Sequence, residues 1–284
     1  MGARLIRQAG TSREIMDHNR FADLINVFWT GVARQSAVIR ALTLRELQQR
    51  FGRENIGYLW VIGEPMMLAS VVTLLHSAVA PHGDGGMSPF TFMLTGYTIY
   101  IIFRNCFNRA ESAMHGSQSL LYHGMITPFD IMVSKWVVDT IGCISALVIL
   151  QAAGIMLGLS DFPARPLYLI GAIALFAWWS LALSFIVAAY AYKSPLVGRL
   201  THPTSYFALP VSGAFISMSL LPKWTHHFMS WNPMMSIFEL ARYGQFTNAP
   251  DKYIFIPYVV VIAVFSTYWG LLEIRRIRSS IHVA

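Results

Sequence analysis

The chain has 284 residues, of which 55% are hydrophobic and only 12% charged. A soluble domain carries about 25% charged residues, so this balance excludes an ordinary soluble enzyme or binding module and indicates a polytopic membrane protein. The formal charge of +7 is confined to segments between long apolar runs, where anionic lipid head groups are its natural partner, and no nucleic-acid partner is expected.

Residues 1–30 read as a polar cytosolic lead-in. Residues 1–20 hold no apolar core and no small-residue cleavage site, so no cleaved leader is expected and the first span directs insertion. Over 32–55, Ala37, Ala41, Leu44, Leu47 and Phe51 recur at helical spacing, while Arg45, Gln49 and Arg53 share another face. Glu46 and Arg50 form an i,i+4 pair in the favourable order. This is an amphipathic helix that lies in the membrane interface with its apolar face down, or else packs on another cytosolic surface.

Six apolar stretches follow, at 59–80, 89–103, 131–159, 167–190, 205–221 and 254–272. A bilayer core about 30 Å thick takes ~20 helical residues, and the second and fifth stretches reach that only with adjoining residues. Seventeen of the 21 Lys and Arg fall on one side of such a six-span arrangement and four on the other. The excess of cations on the cytoplasmic side then puts both termini in the cytoplasm. The expected architecture is all-α: residues 1–58 as lead-in and interfacial helix, 59–272 as a six-span domain, and 273–284 as a basic cytosolic tail.

Among the connections, 81–88 is a short turn-rich loop and makes a hairpin of the first two spans. Residues 109–125 fit a short cytosolic helix carrying Leu120, Leu121 and Tyr122, closed by Thr127-Pro128. The loop over 193–203 reads as short and closed by Pro195 and Pro203. Residues 222–251 are too apolar for a solvated loop. A re-entrant or interfacial helical pair broken at Asn232-Pro233 fits them, since irregular backbone at membrane depth must be covered or line a cavity.

No phosphate-cradling loop is present, so the chain holds no ATP of its own and any ATP-driven step needs a separate chain. No Cys-x-x-Cys or His-Glu-x-x-His occurs, and the adjacent His226 and His227 are poorly placed to share a metal. No metal and no catalytic residue are expected. Intramembrane charge is scarce. Lys135 and Asp139 are i,i+4 and either pair or snorkel near a span end, while Glu64 sits one turn inside the first span.

Two patterns carry a family resemblance. The first is Arg50-Phe-Gly-Arg53-Glu-Asn-Ile-Gly57-Tyr58-Leu59-Trp60, followed by Glu64-Pro65; the second is Trp231-Asn232-Pro233 followed by Glu239 and Arg242. Both resemble the membrane subunits of ABC-2 type exporters, over roughly residues 30–275. The Pro128-Phe-Asp130 junction is most similar to that of the inner-membrane permeases of capsular polysaccharide export, with O-antigen and teichoic-acid permeases as near relatives. The resemblance implies a homodimeric pore in a bacterial inner membrane, two copies of a separate ATPase subunit that binds ATP and Mg, and a lipid-linked polysaccharide moving outward. It implies that 112–127, from Ser112 to Thr127, docks on the ATPase, with Leu120, Leu121 and Tyr122 as apolar anchors. A periplasmic or outer-membrane export protein is a further expected partner.

Under that reading Trp60, Tyr97, Tyr100 and Phe103 fit a stacking wall for sugar rings, and equally an interfacial aromatic belt. Arg104, Arg109 and Lys223 are candidate cations along the path of an acidic polymer, or lipid anchors. Two rival classes are weighed. A membrane-embedded glycosyltransferase would need an acidic or metal-binding cytosolic loop. A secondary transporter would need a proton relay or an inverted repeat, and neither is visible.

Overall fold

The fold was analysed in a computed structural model. It describes the backbone of residues 2–51, 55–79, 87–122 and 126–281, and the side chains of 26–50, 60, 62–75, 87–121 and 126–277. Arg53 falls outside the described residues, as do the side chains of Tyr58, Leu59 and Tyr122.

Among the described residues the regular elements are all helices: α1 (Gly2–Phe51), α2 (Asn55–Val79), α3 (Pro89–Ala113), α4 (Gln118–Tyr122), α5 (Pro128–Met156), α6 (Pro166–Lys193), α7 (Pro195–Ser212), α8 (Lys223–Met229), α9 (Pro233–Gln245) and α10 (Ile256–Ile281). Proline opens α3, α5, α6, α7 and α9. Its fixed φ suits a first helical turn and its missing N–H is no loss there. At α5, Thr127 and Asp130 form a reciprocal capping box, which satisfies two otherwise orphaned donors. α7 ends at Gly213, whose φ of 89° needs a glycine.

By length and composition α5, α6 and the Ile256–Ile277 part of α10 are able to cross a membrane, and α2 holds a shorter apolar stretch, Ile62–Leu75. α3 is long enough but carries Arg104, Asn105, Asn108, Arg109 and Glu111 in its second half. α3 is nevertheless the central helix, packed against α2, α5, α6, α7 and α9.

Several sequence expectations change. The lead-in is helical, residues 2–30 being the first part of α1, with Val27, Phe28 and Trp29 exposed. The fifth stretch, read as 205–221, is shifted: α7 occupies Pro195–Ser212, and Pro203 lies inside it rather than closing a loop. Proline at the first position starts the helix ten residues early, and Gly213 stops it. Residues 273–281 continue α10 rather than forming a separate tail. The greasy segment does break at Asn232-Pro233 into two helices, α8 and α9.

Candidate functional site: a polar lane on α3 and α7

α7 buries only a stripe of small residues, Gly198, Thr201, Ser205 and Ser212. That stripe lets it lie close on α3, and a series of contacts joins the two. The Glu111 side chain packs against Gly198 and its Oε2 lies 3.5 Å from His202 Nε2. Tyr100 donates its hydroxyl to the Ser205 carbonyl. Gly96 meets the Ala214 backbone so closely that a Cβ there would strike the carbonyl oxygen. Between these joints Arg104 donates from Nη2 to Tyr206 Oη at 2.7 Å and from Nη1 to Tyr97 Oη at 3.3 Å. Its guanidinium lies 4.6 Å from the centre of the Tyr206 ring.

Tyr97, Arg104, Asn108 and Glu111 fall on one face of α3 by helical spacing. His202 and Tyr206, one turn apart on α7, face that stripe through the contacts above. The result is a polar lane whose α7 side is open: Tyr206 is 56% exposed. A lipid-facing wall does not hold such groups, since an arginine at the bilayer centre costs about 2.5–3.5 kcal/mol even on insertion scales. At membrane depth such a lane would have to face water, a second protein surface or a polar ligand.

At the α1 end of the bundle the lane meets a charge cluster. Glu46 Oε1 accepts from Arg50 Nε at 2.6 Å, and its Oε2 accepts from Lys135 Nζ at 2.8 Å. Arg50 Nη1 donates to Asp139 Oδ1 at 2.6 Å, Arg109 Nε lies 3.2 Å from the same oxygen, and Arg109 Nη2 lies 3.8 Å from Glu64. Burial pushes the Glu46 carboxyl up, but Arg50 and Lys135 outweigh it and hold the group below its usual range. Burial likewise disfavours the Arg50 cation, yet Asp139 and Glu46 raise its pKa further. The i,i+4 pair Glu46–Arg50 is as expected. Lys135 and Asp139 neither pair with each other nor snorkel: each is taken by a residue of α1, and Asp139 is buried.

α1 thus has two faces. Val38, Leu42, Glu46 and Arg50 point to the bundle, while Ala37, Ala41 and Leu44 are exposed. Sequence periodicity found the second face and missed the first, because half of the bundle-facing stripe is charged.

The aromatic wall is corrected. Tyr97, Tyr100 and Phe103 are buried, and Phe103 packs among Phe107, Phe176 and Trp179. They are core residues, and only the Tyr97 hydroxyl meets Arg104 of the lane. Trp60 remains exposed on α2. Gly57 lies in α2, and Pro65 is inside the same helix, one residue after Glu64.

The connection 112–127 holds a 3-10 turn at His115–Ser117 followed by α4. Leu121 is buried and Leu120 packs beside it, against Leu42, Met114 and Ile131. Leu120 and Leu121 serve the chain's own core, so they do not form an outward anchor. The outward residues are Ser112, His115, Gln118 and Ser119.

At the other end, α9 is almost wholly buried. Asn232 caps it, accepting from the Met234 amide at 3.0 Å, and its Nδ2 donates to the Val211 carbonyl at 2.7 Å. Glu239 Oε1 accepts from Arg242 at 2.9 Å, from Ser217 Oγ at 3.0 Å and from the Met218 amide at 2.7 Å. Arg242 also donates to the Gly213 carbonyl and stacks on Phe92. α8 is different: it buries nothing, and Trp224 and Phe228 are exposed, with Lys223 at its start. Among the described residues no cluster could hold a metal ion.

Comparison with known proteins gives relatives over most of the chain. The capsule polysaccharide export inner-membrane protein BexB of Haemophilus influenzae is 29% identical over 254 residues, covering 89% of this chain and 96% of that one. The capsule polysaccharide export inner-membrane protein CtrC of Neisseria meningitidis serogroup A is 28% identical over 249 residues, 88% and 94% of the two chains. The polysialic acid transport protein KpsM of Escherichia coli is 23% identical over 254 residues, 85% and 94%. The profile of ABC-2 type transporters matches residues 37–246, which take in the charged face of α1, the lane and all of α9, and the chain belongs to that family.

Proposed function

We propose that the chain is the permease subunit of an ATP-driven exporter that moves a capsule-type polysaccharide outward across the bacterial inner membrane. The single observation that carries this reading is the open polar lane on α3 and α7, set in an otherwise apolar helical bundle. The relatives' names supply the cargo. In this reading six helices, α2, α3, α5, α6, α7 and α10, span the membrane with both termini in the cytoplasm. Two copies enclose the path, each contributing one lane. A separate ATPase subunit, also present twice, binds ATP and Mg. It docks on the α1 end of the bundle, and the polar face of Ser112, His115 and Gln118 is its nearest landing surface. The exposed aromatics of α8 sit at the outer interface, where tryptophan is favoured and a periplasmic export protein has access.

The test uses a capsulated bacterium lacking its own permease. Co-expression of this chain with an ABC ATPase subunit of a capsule exporter is expected to restore surface polysaccharide, and co-expression with the same ATPase lacking its phosphate-loop lysine is not. A Tyr206→Cys pair should also cross-link between copies in the membrane. Absence of both restoration and cross-linking removes this reading.

A further inference from the structure

Three cations stand near the proposed path, and their surroundings separate them. Arg109 is neutralised by Asp139 at 3.2 Å and, more weakly, by Glu64 at 3.8 Å. Lys223 begins the exposed α8, where its ammonium reaches water. Arg104 has neither provision. Among the described residues no carboxylate lies within 4.0 Å of it. Its polar partners are two phenols, Tyr206 at 2.7 Å and Tyr97 at 3.3 Å. Phenol oxygens fix the direction of the guanidinium without cancelling its charge. The hydroxyl of Tyr100, also on α3, is committed to the Ser205 carbonyl. The next acid on this face of α3 is Glu111, about 10 Å farther along the axis, and it is turned toward His202.

A half-buried arginine held by two rings, without a counter-charge, is costly in a resting bundle. Its fork keeps N–H donors free of the two tyrosines, and that fork matches a carboxylate or phosphate in two-point geometry. The ring beneath it, Tyr206, is exposed and offers a flat face to the C–H side of a sugar. The geometry points to Arg104 as the residue that reads anionic groups on the transported chain. The assignment rests on the α3–α7 lane being the path. It deepens that reading by naming the residue that would hold the anionic group of an acidic polysaccharide in the path. An anionic lipid head group presents the same chemistry, so the test must separate the two sources.

The assay is binding to the permease–ATPase complex in nanodiscs of phosphatidylcholine. The probes are an oligogalacturonate and the same oligomer after reduction of its carboxyls, which makes it a neutral oligogalactose. The wild-type complex is expected to hold the acidic probe more tightly. Arg104→Gln should weaken the acidic probe about tenfold or more and leave the neutral one within about twofold, as fits loss of a charge-assisted hydrogen bond. Tyr206→Phe keeps the charge but frees one arm of the fork, and should weaken the acidic probe by a smaller factor, about threefold. Equal affinity of the wild type for both probes, or equal loss of both in either variant, overturns anion reading and leaves the lane standing as the path. A wild type that holds neither probe overturns the lane and this assignment together. The measurement is then repeated with phosphatidylglycerol added. If that lipid expels the acidic probe from the wild type but not from Arg104→Gln, the arginine is a lipid anchor and the assignment fails.

Discussion

Arg50 on α1 and Asp139 on α5 meet at 2.6 Å across 89 residues of sequence, and the Asp139 side chain is only 3% exposed. Asp139 also faces Arg109 of α3, so one carboxylate joins three helices. Removing one partner of a buried ion pair typically costs about 3–5 kcal/mol, because the other charge is left uncompensated. Asp139→Ala leaves Arg50 with Glu46 alone and Arg109 with only the weaker contact to Glu64 at 3.8 Å. Arg50→Ala leaves the aspartate with Arg109. Asp139→Ala is therefore expected to lower the melting temperature in detergent more than Arg50→Ala. Equal losses would mean that Asp139 is not the junction.

Glu46 gives this cluster a pH limit. Its neighbours are Arg50 on its own helix, Lys135 on α5, and Arg45, which lines the same crevice. Its folded pKa is held below the ordinary 4.5. A carboxyl with a depressed folded pKa contributes stability that is present above the unfolded value and is lost as pH falls through the folded one. Docking of α1 on α5 should thus be insensitive to pH near neutrality and weaken only below about pH 4.5. Lys135→Met removes one of the two stabilising cations and should move that loss to higher pH. A spin-label distance between Ala41 and Phe129, followed through an acid titration, reads the separation. A midpoint unchanged by Lys135→Met counts against the pairing.

The fold was legible where one physical signal dominated. Long apolar runs located α2, α5, α6 and α10 closely, because nothing in them competes with hydrophobicity. α7 was misplaced because its first half, with Arg199, His202 and Pro203, reads as loop, although it lies on α3 through Gly198, Thr201 and Ser205. Small residues that permit close approach leave little trace in a hydropathy profile. The pair Glu239–Arg242 was visible because its spacing lies within one helix. Glu46–Lys135, Arg50–Asp139 and Arg104–Tyr206 were not, since each joins residues about 90–100 positions apart whose meeting depends on tertiary packing. The aromatics Tyr100 and Phe103 show the opposite error: their composition suits a binding wall as well as a core, and only packing decides.

Close approach of α3 to the chain just past the end of α7 is testable at Gly96. A Cβ built there falls onto the Ala214 carbonyl, which is backbone and cannot swing aside. Overpacking of this kind costs about 1–3 kcal/mol. Gly96→Ala is expected to lower the yield of folded protein and its melting temperature. Gly171→Ala is the control, since nothing lies within 4 Å of a Cβ there, and replacing an exposed helical glycine by alanine is neutral to stabilising. If the two variants melt alike, the α3–α7 joint is looser than described.

The buried pair of α9 sets the last prediction. Glu239 and Arg242 are 1% and 5% exposed and 2.9 Å apart. Arg242→Ala leaves a carboxylate in a dry site with only the Ser217 hydroxyl and the Met218 amide as donors. Glu239 Oε2 already lacks a partner among the described residues, so the stranded charge has no spare donor to turn to. The double change to alanine at both positions removes the charge with its partner. It still orphans the Met218 amide and the Gly213 carbonyl, but an unpaired neutral group costs about 1–3 kcal/mol, less than an unpaired buried ion at about 3–5 kcal/mol. Arg242→Ala is therefore expected to impair both stability and surface polysaccharide more than the double change, compared at matched protein level in the membrane. Glu239→Gln, which keeps the acceptor for the Met218 amide, should fall closest to wild type. If the double change is as harmful as the single one in export but milder in melting temperature, the pair acts beyond structure, and Glu239 takes a direct part in the path.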